Sequence, residues 1–175
     1  MVISTRGLRA MDRSVTSGTG STARSELVEQ LPTHSAELLA TARFLVRGEA
    51  EAYDLVQTTL ELAIRHVDQV RDPARLRPWL IAIETREAMR LRRRIARAFG
   101  VPMARPPVAD ARPVDTMLAL RDAVEALPSR MRAAVVLHHM VGLTVDETAR
   151  AMSVSPNTVR AHLKTGLRRL RENLK

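Results

Sequence analysis

Apolar residues recur along most of this chain at the three-and-four spacing of helices. Pro32 and Thr33 open the first such stretch, and Leu38, Leu39, Ala42, Leu45 and Val46 fall on one side of it. Gly48 stands where a helix C-terminal cap is expected. A second helix is predicted from Glu49 to about His66, with Leu55, Leu60, Leu62, Ala63 and Ile64 alternating with Asp54, Gln57, Thr58 and Glu61. The polar connection Val67 to Arg77 follows, with Asp72-Pro73 as a turn or helix start. A third helix is predicted from about Pro78 to Arg97. Trp79, Leu80, Ile83, Met89 and Leu91 face inward on it, and its second half, from Arg86, turns strongly basic.

The pattern then breaks. Residues 99–115 hold Pro102, Pro106, Pro107 and Pro113, which disfavour both helix and strand. They read as a linker between two helical blocks. A helix from Thr116 to about Ala126 precedes another that starts at Pro128-Ser129 and ends at Gly142. Thr144 and Glu147 have the spacing of a capping box, in which each side chain satisfies a free amide at a helix start. That helix ends near Met152. Ser155 then caps a last helix with Pro156 in its first position. Val159, Leu163, Leu167 and Leu170 share one side of this helix, and Arg160, Lys164, Arg168 and Arg171 lie on or beside the other.

The expected fold is all-α, with two small helical domains at 31–98 and 116–175 and a flexible proline-rich linker at 99–115. Residues 1–30, rich in Ser, Thr, Gly and Arg, read as a disordered tail. Hydrophobic residues make up 45 % of the chain but aromatics only 2 %, so the cores must be aliphatic. Without cysteine, disulfides and thiolate-bound metals are excluded. No apolar run is long enough to span a bilayer, and the N-terminus lacks the apolar core of a signal peptide. A cytoplasmic protein is therefore expected. The net charge of +9 is carried almost wholly by arginine and suits a polyanionic partner; Arg-rich codon usage accounts for part of the bias.

Residues 144–174 carry the sharpest chemistry. A short capped helix, a tight turn at Ser153 and a basic second helix form a helix-turn-helix pattern, with Ala149 at the close crossing and Val159 locking the pair. The second helix offers Asn157, Thr158, Arg160, Ala161 and Lys164 outward near its N-terminus, and Arg168 extends the charge. DNA binding is the reading on which capping, turn and charge agree; a solvated basic face is the plainer alternative. The run Arg90 to Arg97 fits a DNA backbone or a solvated helix end. The polar face Asp54, Gln57 and Thr58 fits, by itself, a solvated surface. No phosphate-binding glycine loop, nucleophile motif, paired carboxylates or metal-ligand cluster is evident, so no catalytic residue, metal or cofactor is expected.

Taken in order, Asp54-Leu-Val-Gln57, Leu76-Arg-Pro-Trp-Leu-Ile-Ala-Ile83 with Arg90-Leu-Arg-Arg-Arg94, and Ala126-Leu-Pro-Ser-Arg-Met-Arg-Ala-Ala-Val-Val-Leu137 with Gly142-Leu-Thr-Val-Asp-Glu147 and the last helix resemble regions 2 and 4 of small extracytoplasmic-function (ECF) sigma factors of bacterial RNA polymerase. The resemblance implies promoter-directed initiation without enzymatic activity, in the cytoplasm and at the nucleoid. It implies core polymerase, through its β′ clamp helices and β flap, and promoter DNA as partners, and it allows for an anti-sigma factor. Asp54, Leu55, Gln57 and Thr58 would meet core polymerase. Arg71, Arg75, Arg77, Arg86, Arg90, Arg93 and Arg94 would face the minus-ten element. Asn157, Thr158, Arg160, Ala161, Lys164 and Arg168 would read the minus-thirty-five element. Tyr53, Thr58, Pro78, Arg86, Arg90 and Thr148 depart from residues usual in that family. The alternative is a stand-alone helix-turn-helix regulator, with 31–98 as a sensing or dimerising domain.

Overall fold

The computed structural model describes residues 16–99 and 116–174, with side chains for 22–98 and 119–174. The described residues form helices and contain no strand: α1 (Thr16–Gln30), α2 (Ser35–Leu45), α3 (Glu49–His66), α4 (Leu76–Phe99), α5 (Thr116–Ala126), α6 (Ser129–Val135), α7 (Val145–Met152) and α8 (Pro156–Asn173). Short 3-10 turns occupy Leu31–His34, Val67–Gln69 and Pro73–Arg75, and one π-helical turn, Val136–Met140, extends α6.

In the N-terminal bundle α2, α3 and α4 pack around Leu38, Ala42, Leu45, Ala52, Leu55, Ala63, Leu76 and Leu80, all buried. The alanines let the helices approach closely, which suits a chain with few aromatic rings. Val67 and Val70 pin the connection from α3 to α4 from below and leave Arg71 and Arg75 exposed. Asp72 turns the chain there by accepting from the Ala74 amide at 3.0 Å. In the C-terminal bundle Val124, Leu127, Ala134, Val136, Leu137 and Leu143 form the core on which α7 and α8 are mounted.

Several local expectations change. The tail expected over 1–30 is helical from Thr16, with Leu27 buried and Arg24 donating to the Asp68 carboxylate and, at 3.0 Å, to the Ile64 carbonyl. Leu27 and Val28 pack on the core and the Arg24 hydrogen bonds tie α1 to the end of α3, contacts that composition does not reveal. Gly48 is not a left-handed cap: it is extended (φ −119°) and is the N-cap of α3. Ile64, expected among the apolar positions, is exposed, and Leu60 and Leu62 are half-buried. Of the expected linker only Phe99, the last residue of α4, falls within the described residues.

The two bundles touch. Helix α7 lies against α4, and Arg77 of α4, bound to both carboxylate oxygens of Glu37, also donates to the Val141 carbonyl at 2.8 Å.

Candidate nucleic-acid interface

The helix-turn-helix is built by local chemistry. Thr144 Oγ1 accepts from the Glu147 amide at 3.2 Å, and the Glu147 carboxylate accepts from the Thr144 amide at 2.8 Å, so both halves of the capping box are closed. The Thr144 amide, and next the Thr144 hydroxyl donating to the same carboxylate at 2.8 Å, hold the Glu147 carboxyl below its ordinary value. Ser153 adopts the left-handed conformation (φ 54°) at the C-cap of α7, and its amide returns to the Arg150 carbonyl. Ser155 then caps α8, its Oγ accepting from the Thr158 amide at 3.2 Å.

Helix α8 is fixed by Val159, Leu163, Gly166 and Leu170, all buried. The glycine allows the closest approach: a Cβ there would lie 2.9 Å from Val135 Cγ2 on α6. The opposite face presents Asn157, Arg160, Ala161, Lys164 and Arg168, all exposed. Arg160 donates to Asn157 Oδ1 at 2.9 Å, so the two side chains at the N-terminal end act as one unit. Thr158 is half-buried and shares a 2.8 Å bond with Ser155, so its hydroxyl is engaged in the cap. The His162 ring, turned partly inward, titrates below its ordinary value, through burial first and the Arg130 charge second.

A second basic surface runs along α4 and the connection before it. Arg71, Arg75, Arg86, Arg90, Arg93 and Arg94 are exposed. Arg86 returns to the Ala82 carbonyl at 2.9 Å, and Arg90 pairs with Glu87 at 2.6 Å. Arg77 stands apart from this group. It is half-buried, and Glu37 and the Val141 carbonyl engage its guanidinium.

A third surface lies on α3. Asp54, Gln57 and Thr58 are exposed on it beside Tyr53 and Glu61. Leu55 does not belong there: it is buried in the bundle core. The motif Asp54 to Gln57 crosses both faces of the helix, and a leucine between polar neighbours turns inward.

Features that sequence reasoning passed over are mostly buried polar groups. Glu84 is fully buried, and neither carboxylate oxygen has a hydrogen-bond partner. Burial, then the charge of Glu37, pushes its carboxyl up to about 9. Arg132 is also buried; it donates to the Leu127 carbonyl at 3.2 Å and to the Glu125 carbonyl. Burial and then Arg92 push it down to about 9. Trp79, expected in the core, is half-buried and lines a cleft of about 700 Å³ between α4 and α7. Among the described residues no group of acidic or histidine side chains could hold a metal ion, and no helix is long and apolar enough to cross a membrane.

Two family models match this chain: sigma-70 region 2 over residues 33–98 and sigma-70 region 4 over residues 117–170. The chain is 31 % identical over 152 residues to RNA polymerase sigma-E factor of Streptomyces coelicolor, covering 85 % of this chain and 86 % of that one. It is 32 % identical over 139 residues to ECF RNA polymerase sigma factor SigM of Mycobacterium tuberculosis, covering 78 % and 71 % of the two chains. The chain belongs to the ECF sigma factors of the sigma-70 family. Its structure is similar to that of the sigma factor RpoE in a co-crystal with the anti-sigma factor NepR from Bartonella quintana, at a TM-score of 0.67 and 25 % identity, covering 88 % of this chain and 97 % of that one.

This sigma factor therefore works with core RNA polymerase and directs initiation at its promoters. The stand-alone regulator falls away, because the region 2 match occupies the segment which that reading reserved for sensing or dimerisation.

Proposed function

We propose that the three surfaces divide the work of initiation. The exposed face of α3, with Asp54, Gln57 and Thr58, docks on the clamp helices of the polymerase β′ subunit; Leu55 supports that face from the core. Arg71, Arg75, Arg86, Arg90, Arg93 and Arg94 hold DNA at and above the minus-ten element. Asn157, Arg160, Ala161, Lys164 and Arg168 enter the major groove at the minus-thirty-five element, while region 4 leans on the β flap. Thr158 contributes through the cap of α8. The protein supplies binding and no bond chemistry of its own, and it acts where polymerase and nucleoid are, in the cytoplasm.

The observation that carries this reading is the division of α8. Four of its residues are buried in the bundle, and its N-terminal half points a paired Asn157–Arg160 unit and Lys164 outward. A recognition helix needs that geometry, because its first turns reach base edges while its far face is held by a scaffold. Strand opening is served by an arginine-rich surface more than by a row of rings, since only four aromatic residues (one Trp, one Tyr, two Phe) are present.

An anti-sigma factor fits as a further partner, because the fold overlays a sigma factor crystallised with one. Transcription by polymerase reconstituted with this protein tests the whole assignment. Arg160→Ala and Lys164→Ala should lower promoter use, and Asp54→Ala should lower assembly with core. Unchanged assembly of the Asp54 variant would remove α3 from the docking face.

A further inference from the structure

Helix α1 grips the place where α3 ends and the connection to α4 begins. Arg24, Leu27 and Val28 stand at the three-and-four spacing of one helix face. Leu27 is buried and Val28 packs on the core, so that face is turned to the bundle. Arg24, one turn earlier, reaches the end of α3. Its Nη1 donates to the Asp68 carboxylate, and its Nη2 donates to the Ile64 carbonyl at 3.0 Å. Ile64 lies in the last turn of α3, where carbonyls lack intrahelical donors and a cation meets the negative end of the helix dipole. The planar guanidinium serves both acceptors at once.

The grip is passed on to the arginines beyond it. Val67 and Val70 are buried, and the Val70 amide donates to the Val67 carbonyl at 2.9 Å, which closes the turn that carries Asp68. Arg71 follows directly. Asp72 then accepts from the Ala74 amide at 3.0 Å, and the Arg75 amide returns to the Asp72 carbonyl at 2.9 Å. Placement of Asp68 therefore sets where Arg71 and Arg75 stand, both of them exposed. Charge adds to placement. Asp72 lies 3.7 Å from Arg75 on its own segment, whereas Asp68 is paired across the fold by Arg24. The Asp68 side chain is 65 % exposed, and left unpaired it would repel a phosphate backbone.

We propose that Arg24 is a positioning residue for the minus-ten surface: through Asp68 and the Ile64 carbonyl it fixes the bend from α3 into the connection, so aligning Arg71 and Arg75, and it cancels an acid beside them. The inference rests on the assignment of those arginines to the minus-ten element. Backbone contacts set the register on which base readout depends, so a shifted connection costs discrimination as well as affinity. An exposed ion pair adds little stability, so Arg24 acts on which promoters are used and not on whether the chain folds.

The test uses holoenzyme reconstituted with the full chain on a promoter that it uses, and on two derivatives, one altered in the minus-ten element and one in the minus-thirty-five element. Arg24→Ala should cut the preference for the parent over the altered minus-ten element about fivefold, the lower end of what one base pair contributes. The preference over the altered minus-thirty-five element should not change. A loss of folded protein lowers use of all three promoters alike and leaves both ratios as they were. Asp68→Ala should reproduce most of the loss. The double variant should be no worse than Arg24→Ala alone, because the two residues act as one unit and the unpaired acid is gone. Losses that multiply in the double variant, or a minus-ten ratio that neither single variant moves, would refute the positioning role. Arg71→Ala with Arg75→Ala is the separate arm. If that variant opened the parent promoter as the unaltered protein does, the minus-ten assignment would fail and the positioning role with it. If it opened the promoter poorly while Arg24→Ala kept its minus-ten ratio, the positioning role alone would fail.

Discussion

Gly166 of α8 lies so close to Val135 of α6 that a methyl group at 166 would stand 2.9 Å from Val135 Cγ2. The glycine therefore sets how closely the recognition helix seats on its scaffold. Its helix-interior cost of about 1 kcal/mol is accepted to permit that approach. Gly166→Ala should destabilise the C-terminal bundle by about 1–3 kcal/mol despite its better helix propensity, because the core there is overpacked. Chemical denaturation of the single variants and of Gly166→Ala with Val135→Ala measures the coupling. The double variant should recover part of the loss, and strict additivity would place the strain elsewhere.

The capping box at α7 makes an independent forecast. Thr144→Ala removes the acceptor for the Glu147 amide and should cost about 1 kcal/mol. Glu147 is depressed in the folded state, chiefly by its bond to the Thr144 backbone. Its contribution is thus present above its unfolded value, near 4.5, and is lost as pH falls through the lower folded value. In Glu147→Gln that acid-side loss should shrink when stability is followed below pH 5.

Glu84 has the opposite sign. Its folded carboxyl titrates at about 9 and its ordinary value is 4.5, so the folded chain keeps a proton that the unfolded chain releases. Stability from this group falls as pH rises from about 4.5 to about 9 and is level beyond that range. Glu84→Gln should flatten the decline. Urea midpoints from pH 5 to 9 check this as a difference between variant and parent, which removes the rise with pH that the depressed His139 and His162 add.

Arg160 and Lys164 should separate in their DNA behaviour. Arg160 is held by Asn157 near the N-terminus of α8, the end proposed to enter the groove, where base readout is expected. Arg160→Ala should cost about 1–3 kcal/mol at the cognate minus-thirty-five sequence and relax preference at one position. Lys164 stands one turn further on, where phosphate is the expected partner. Lys164→Ala should weaken all sequences alike and lower the salt slope by about one. Competition binding with mutated elements at several salt concentrations distinguishes the two.

The sequence was most legible where local rules act alone. Thr144 with Glu147, Ser155 with Pro156 and the tight turn at Ser153 each depend on chemistry within a few residues, and each forms as its spacing predicts. Legibility failed where partners are distant in sequence. Arg77 ends a polar connection and reads as one of the cations on the minus-ten side; its partners in the fold, Glu37 and the Val141 carbonyl, lie far away along the chain. Arg24 binds Asp68 and so orders a helix from a segment that composition assigns to a tail. Leu55 shows a limit of motif reading, because a motif names consecutive residues and a helix distributes them over opposite faces.

The central claim is that this chain brings polymerase to promoters through α3, α4 and α8 acting together. The most direct measurement is mapping of transcript 5′ ends made on genomic DNA by core polymerase with and without the protein. The account predicts discrete starts, absent with core alone, that share one upstream pair of elements spaced as minus ten and minus thirty-five and are lost with Asp54→Ala. Starts that do not change when the protein is added would contradict it.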